Sequence, residues 1–110
     1  MTLEEMEIEL GEIDPREVED TWNHLFSKCD PEWVAQLASE YARDGYTGKP
    51  IIVERWTTLI NGRHRTLAAR QAGLENIPMI RLFADEVREV ESQFGDCDDF
   101  EAAILARAGF

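Results

Sequence analysis

Between Leu59 and Arg70 the chain reads Leu-Ile-Asn-Gly-Arg-His-Arg-Thr-Leu-Ala-Ala-Arg, and no other stretch restricts its fold as much. Leu59 and Ile60 end an extended run, Gly62 removes the Cβ where the backbone must turn sharply, and a basic helix starts directly afterwards. The first N–H groups of such a helix have no intrahelical acceptor and point at whatever lies ahead of it, which suits an anion. Arg63, His64 and Arg65 add charge at that same point.

Charge sharpens this reading. The 110 residues carry 11 Lys and Arg against 23 Asp and Glu, a formal net charge of −12. From Gly48 to Leu82 the local balance is +4, and the remaining segments together sum to −16. An acidic chain is poorly suited to unaided binding of a nucleic-acid backbone, where affinity comes from neutralised phosphates. A basic island in that surface points to a small anionic ligand or a charged partner. The length fits one domain, residues 1–110, with 84–110 expected as a C-terminal helical extension. No apolar run is long enough to span a bilayer, and the acidic start lacks the basic opening of a signal peptide, so a cytoplasmic protein with no membrane association is expected. Cys29 and Cys97 have no metal or disulfide spacing and are read as free thiols.

The element pattern predicts an α/β (α+β) fold, a small mixed sheet with flanking helices. Met6 to Ile13 alternates as a strand. Asp14-Pro15-Arg16-Glu17 looks like a capped helix start, with Val18, Trp22, Leu25 and Phe26 on one helical face. Asp30-Pro31-Glu32 repeats the signal and starts a helix carrying Trp33, Val34, Leu37, Ala38 and Tyr41, stopped by Gly45. Ile51-Ile52-Val53 is a core strand, with Trp56 to Ile60 pairing back on it as a hairpin. The basic helix ends at Gly73. Ile77 to Phe83 is a further strand, its Pro78 indicating a strand start or an edge. A helix runs from Asp85 to Gly95, and Asp98 with Glu101 forms a capping box for the last one.

From about Pro31 to Leu82 this order of features resembles the ParB/sulfiredoxin superfamily domain. Members carry Gly-x-His-Arg, an alanine-rich helix, a glycine and an Ile/Val-Pro strand, matched here by Gly62-Arg63-His64-Arg65, Ala68-Ala69, Gly73 and Ile77-Pro78. The resemblance implies a compact α/β fold whose Gly-x-His-Arg turn binds phosphate groups, often those of a nucleotide. Sulfiredoxin-like members place a catalytic cysteine before the His-Arg pair and partition-type members a glutamate. Arg63 stands there in this chain, which argues against sulfinic-acid reduction and against a magnesium-CTP switch. Ending at Phe110, the chain reads as a minimal, stand-alone version of the domain.

The resemblance and the residues together make Asn61, Gly62, Arg63, His64, Arg65 and Thr66 the candidate ligand-binding set. The guanidinium groups of Arg63 and Arg65 match phosphate geometry, and cations oppose the dipole at a helix N-terminus, so they are poor choices for stability alone. His64 is either an acid/base group or a brace for the turn, Asn61 suits turn chemistry, and Arg70 is placed on the exposed face. Catalysis by phosphoryl transfer would also need a carboxylate, for which Glu54 is the candidate beside His64, with Glu17 as a further one, and a nucleotide with Mg as cofactor. Asp96, Asp98 and Asp99 are not read as a metal site, His24 is read as a surface residue, and Trp22, Trp33 and Trp56 are read as core aromatics in preference to a base-stacking platform, since no basic residues interleave the first two.

The leading expectation is therefore a domain that binds a nucleotide or other phosphorylated ligand, the enzyme forms being a nucleotide hydrolase, kinase or nuclease and not a sulfiredoxin. The alternative is a non-catalytic acidic regulator or inhibitor, of mobile-element type, of a nucleic-acid-binding partner. A third is a DNA-binding or nuclease module, which the net charge disfavours.

Overall fold

Strand β4, Ile77–Phe83, organises the molecule because both of its edges and both of its faces are used. The computed structural model describes residues 3–20, 25–55, 57–83, 87–94 and 97–110. Within them β1 (Glu7–Ile13), β2 (Ile51–Glu54), β3 (Leu59–Asn61) and β4 form one sheet in the order β1-β4-β2-β3. β1 pairs antiparallel with β4 from Glu7↔Phe83 to Ile13↔Ile77, β2 pairs parallel with β4 from Ile51↔Met79 to Glu54↔Leu82, and β2 and β3 form the expected hairpin. The sheet is mixed, as the sequence predicts. Pro78 lies in a central strand but only one residue from its start, where the missing N–H interrupts little of the ladder.

Alternation along the strands builds two cores, one on each face. Ile51, Val53, Ile77 and Met79 face the helices α1 (Pro31–Asp44) and α2 (Arg63–Ala72), meeting Val34, Ala38, Tyr41, Ala68 and Ala69. On the other face Ile52, Ile80 and Leu82 meet Val87 and Val90 of α3 (Val87–Glu91) and Phe100, Ile104 and Leu105 of α4 (Cys97–Arg107). Residues after β4 thus close the second face of the sheet. No helix among the described residues is long and apolar enough to cross a membrane.

The helix expected from Asp14 is a single 3₁₀ turn, Pro15–Glu17. Asp14 does cap it, accepting from the Arg16 N–H at 2.9 Å, but Val18 is already extended. Two competitors stop the helix. Arg70 takes the carbonyls an α-helix would use, its Nε donating to Pro15 O (2.7 Å) and its Nη2 to Val18 O (2.6 Å), while its guanidinium lies 4.6 Å from the Phe26 ring centroid. Glu19 bonds through its backbone to Thr57 and Leu59 on the outer side of β3, covering a sheet edge. Arg70, expected on an exposed face, is therefore half-buried and structural. Tertiary bonds outweigh a local propensity worth tenths of a kcal/mol per residue.

Other boundaries follow the sequence more closely. Asp30 caps α1 through the Glu32 N–H, and Gly45 and Gly73 close α1 and α2 with positive φ. α3 ends at Glu91, and α4 begins at Cys97, which puts Asp98 inside its first turn instead of ahead of it. Trp22, His24, Trp56, Asp85, Gly95 and Asp96 lie outside the described residues.

Candidate functional site

Gly62 fixes where α2 begins. Its φ of 110° and ψ of 28° lie in a region L side chains rarely adopt, and a Cβ there would sit 2.6 Å from Ile51 Cγ2 and 2.9 Å from Ile51 Cβ. The helix start is thereby pressed against the beginning of β2. Thr66 locks the turn from within: it is fully buried, and both its N–H (2.8 Å) and its Oγ1 (2.9 Å) donate to Gly62 O. No side chain caps α2, so the N–H groups of Arg63 to Arg65 open outward.

That end of α2 faces a cleft of about 460 Å³. Asn61, Gly62, Arg63, His64 and Arg65 line one side of it, together with Thr47 and Gly48 from the loop before β2. Trp33, Leu37 and Tyr41 line the other side, four residues apart along α1, where that spacing forms one stripe. Five of the six candidate ligand residues are thus gathered at one opening. The sixth, Thr66, does not line the cleft and holds the turn. Arg63 is half-buried there, and its side chain makes no hydrogen bond or ion pair to any other described residue.

Arg65 is differently placed. Its Nη1 donates to Lys49 O (2.8 Å) and Pro50 O (3.1 Å), and its Nη2 reaches both carboxylate oxygens of Glu101 at 3.2 Å. The Arg65 and Glu101 side chains are only 16% and 11% exposed, so this is a buried ion pair joining the start of α2 to α4. The Tyr46 hydroxyl also donates to Lys49 O, and burial pushes its ionisation far above the usual tyrosine range. Arg65 is thus a clamp on the loop before β2 that also borders the cleft. Sequence reasoning missed Glu101, assigning it to a capping box, because its partner lies 36 residues away.

His64 braces two helices. Its Nε2 accepts a hydrogen bond from the Asp30 N–H at 3.3 Å, and its ring stands nearly perpendicular to Trp33, centroids 6.4 Å apart at 82°. An accepting Nε2 puts the proton of the neutral ring on Nδ1. Burial first, and then Arg63, push its pKa below the usual histidine value. Since the unfolded chain takes up that proton at higher pH than the folded one, stability rises with pH through the window just below the unperturbed value of about 6.5. Thermal melts from pH 7.5 to 5.5 should show a larger loss of Tm in the native chain than in His64→Gln, whose Oε1 accepts without titrating. Equal losses would show that the brace does not depend on protonation; His24 is common to both and cancels.

Glu54, the candidate catalytic carboxylate, is absent from the cleft lining. Gly62 abuts Ile51 at the start of β2 whereas Glu54 ends it, roughly 10 Å further along at 3.3 Å per residue. Glu17 borders a separate polar depression with Glu12, Arg16 and Arg81. Among the described residues no group of three His, Cys, Asp or Glu side chains is arranged to hold a metal ion.

Solved structures with this arrangement of elements include a Pnob8-like ParB N-domain (TM-score 0.60, 16% identity, covering 80% of this chain and 35% of that one) and sulfiredoxin from Arabidopsis thaliana (0.56, 20%, 66% and 83%). A third is the C-terminally truncated chromosome-partitioning protein ParB from Caulobacter crescentus, complexed with CTP-gamma-S (0.63, 18%, 88% and 62%). The chain has a ParB/sulfiredoxin-like fold. No family model and no curated protein matches the sequence. The chain spans about a third of the ParB N-domain structure and under two thirds of the Caulobacter one. The Gly62 turn sits between the β2–β3 hairpin and α2, the helix that returns the chain to β4.

Proposed function

We propose that the cleft binds a phosphorylated small molecule, with a nucleotide as its foremost ligand, and that the phosphates sit at the start of α2. The observation that carries this is Arg63: a half-buried guanidinium on the cleft wall, unengaged by the other described residues, beside N–H groups that no side chain caps. Keeping a cation at a helix N-terminus opposes the dipole, and an anion arriving there is attracted by both. The ParB structure that holds CTP-gamma-S lends the reading support at the level of the fold.

Binding is favoured over turnover. His64 Nε2 is committed to the Asp30 N–H, and no carboxylate among the described residues lines the cleft to orient a nucleophile. Magnesium would accordingly enter on the phosphates of the ligand instead of being held by a protein cage.

Calorimetric titration with ATP, CTP and tripolyphosphate, with and without magnesium, is the test. Loss of a charge-assisted hydrogen bond costs about 1.5–3 kcal/mol, so Arg63→Ala should weaken binding by about 10- to 100-fold. The proposal fails if none of these anions binds the native chain, or if Arg63→Ala binds them equally well.

A further inference from the structure

The two walls of the cleft differ in kind. The start of α2 is polar and cationic, whereas α1 contributes Trp33, Leu37 and Tyr41. Trp33 is 52% exposed, although its neighbour Val34 is buried in the core. An indole left half in water forgoes part of the stabilisation its burial would supply, roughly 25 cal/mol for each Å². It is nevertheless held in place, because its ring stands at 82° to His64, which the Asp30 N–H fixes in turn. A perpendicular contact covers at most one face of the indole. The residue's 52% exposure leaves ring surface accessible beyond that contact.

The size of the cleft adds a second argument. At about 460 Å³ it falls in the range that encloses whole organic ligands, about 300–1,000 Å³, and phosphates at the start of α2 would leave most of it empty. What remains is a space bounded by an aromatic ring and apolar side chains, adjoining a cationic wall. That complements a molecule with a flat ring at one end and negative charge at the other.

We infer that Trp33 is a stacking platform for the base of a bound nucleotide, which makes it the residue that selects nucleotides over simple polyphosphates. This rests on the phosphate reading of the α2 end and adds the ligand's second half. Stacking uses the π-face that every base has, so the platform discriminates base from no base far more than one base from another. The ring also joins base occupancy to the α1–α2 brace, since stacked base, Trp33 and His64 are successive contacts.

Titration of tripolyphosphate, ATP and CTP at matched ionic strength into the native chain, Trp33→Ala and Trp33→Tyr tests the inference. Both nucleotides should bind about tenfold or more tightly than tripolyphosphate, even though the latter carries more charge. Trp33→Ala should erase that gap while leaving tripolyphosphate affinity within about twofold, and Trp33→Tyr, which keeps a ring, should retain most of it. Should native protein bind tripolyphosphate as tightly as the nucleotides, or should the gap survive in Trp33→Ala, the platform is refuted and the phosphate site stands. Binding of none of the three removes the phosphate site and the platform together. Circular-dichroism melts of each variant separate lost binding from lost folding.

Discussion

Gly62→Ala is expected to destabilise the chain by about 3 kcal/mol or more, the largest cost of an added methyl group at any glycine among the described residues. Two costs combine. The backbone at φ 110° is unfavourable for any residue with a Cβ, at roughly 1–2 kcal/mol. The new Cβ would also lie 2.6 Å from Ile51 Cγ2 and 3.3 Å from the Ile51 Cα, and overpacking a filled core costs about 1–3 kcal/mol. Ile51 cannot step aside, because it is fully buried on β2 and paired with Met79. Gly73→Ala provides the control: its φ of 77° carries the conformational cost, but nothing lies within 4 Å of the added Cβ. Urea titrations should therefore place Gly62→Ala well below Gly73→Ala, and equal midpoints would mean that α2 does not press on β2 as described. Against a typical total stability of about 5–15 kcal/mol, the Gly62 variant loses a large share.

Legibility in the sequence follows how local each determinant is. Gly45, Gly62 and Gly73 end or begin helices through their own backbone freedom, and Asp30 caps through a bond to Glu32, so these features are written within a few residues of where they act. β4 alternates between two cores and is readable for the same reason. What escaped was non-local. The helix expected from Asp14 loses its carbonyls to Arg70, 52 to 55 residues away, and no periodicity in the sequence announces that competitor. Trp33 reads as a core aromatic because no basic residue lies near it in sequence, yet it is 52% exposed and lines the cleft beside Arg63 and His64, which arrive from 30 residues further on. Arg63 and Arg65 look alike in sequence. Both border the cleft, but they leave the helix in different directions, so Arg65 meets Glu101 while Arg63 meets no partner among the described residues.

The Arg65–Glu101 pair should give opposite signs in folding and in binding. Truncating Glu101 leaves a guanidinium, 16% exposed, without its counter-charge, and breaking a buried pair in this way costs about 3–5 kcal/mol where an exposed pair costs at most about 1. Arg65 keeps its bonds to Lys49 O and Pro50 O, so Glu101→Ala is expected near the low end, about 3 kcal/mol. Arg65 also borders the cleft, and Glu101 is the carboxylate that neutralises it there. Removing that carboxylate leaves an uncompensated positive charge beside the start of α2. A less stable variant should therefore bind polyphosphate more tightly than the native chain does. Adding ligand then stabilises the variant by the larger increment, since the gain grows with the logarithm of ligand concentration over Kd. Melting both proteins across a tripolyphosphate series measures the two effects at once. A variant that starts lower and begins its rise at a lower tripolyphosphate concentration is the expected outcome; onset at the same concentration would mean that Arg65's charge is not felt in the cleft, and coincident starting points that the pair adds nothing to the fold. Because a merely damaged protein would start lower without an earlier onset, the onset concentration separates a masked phosphate contact from a structural clamp.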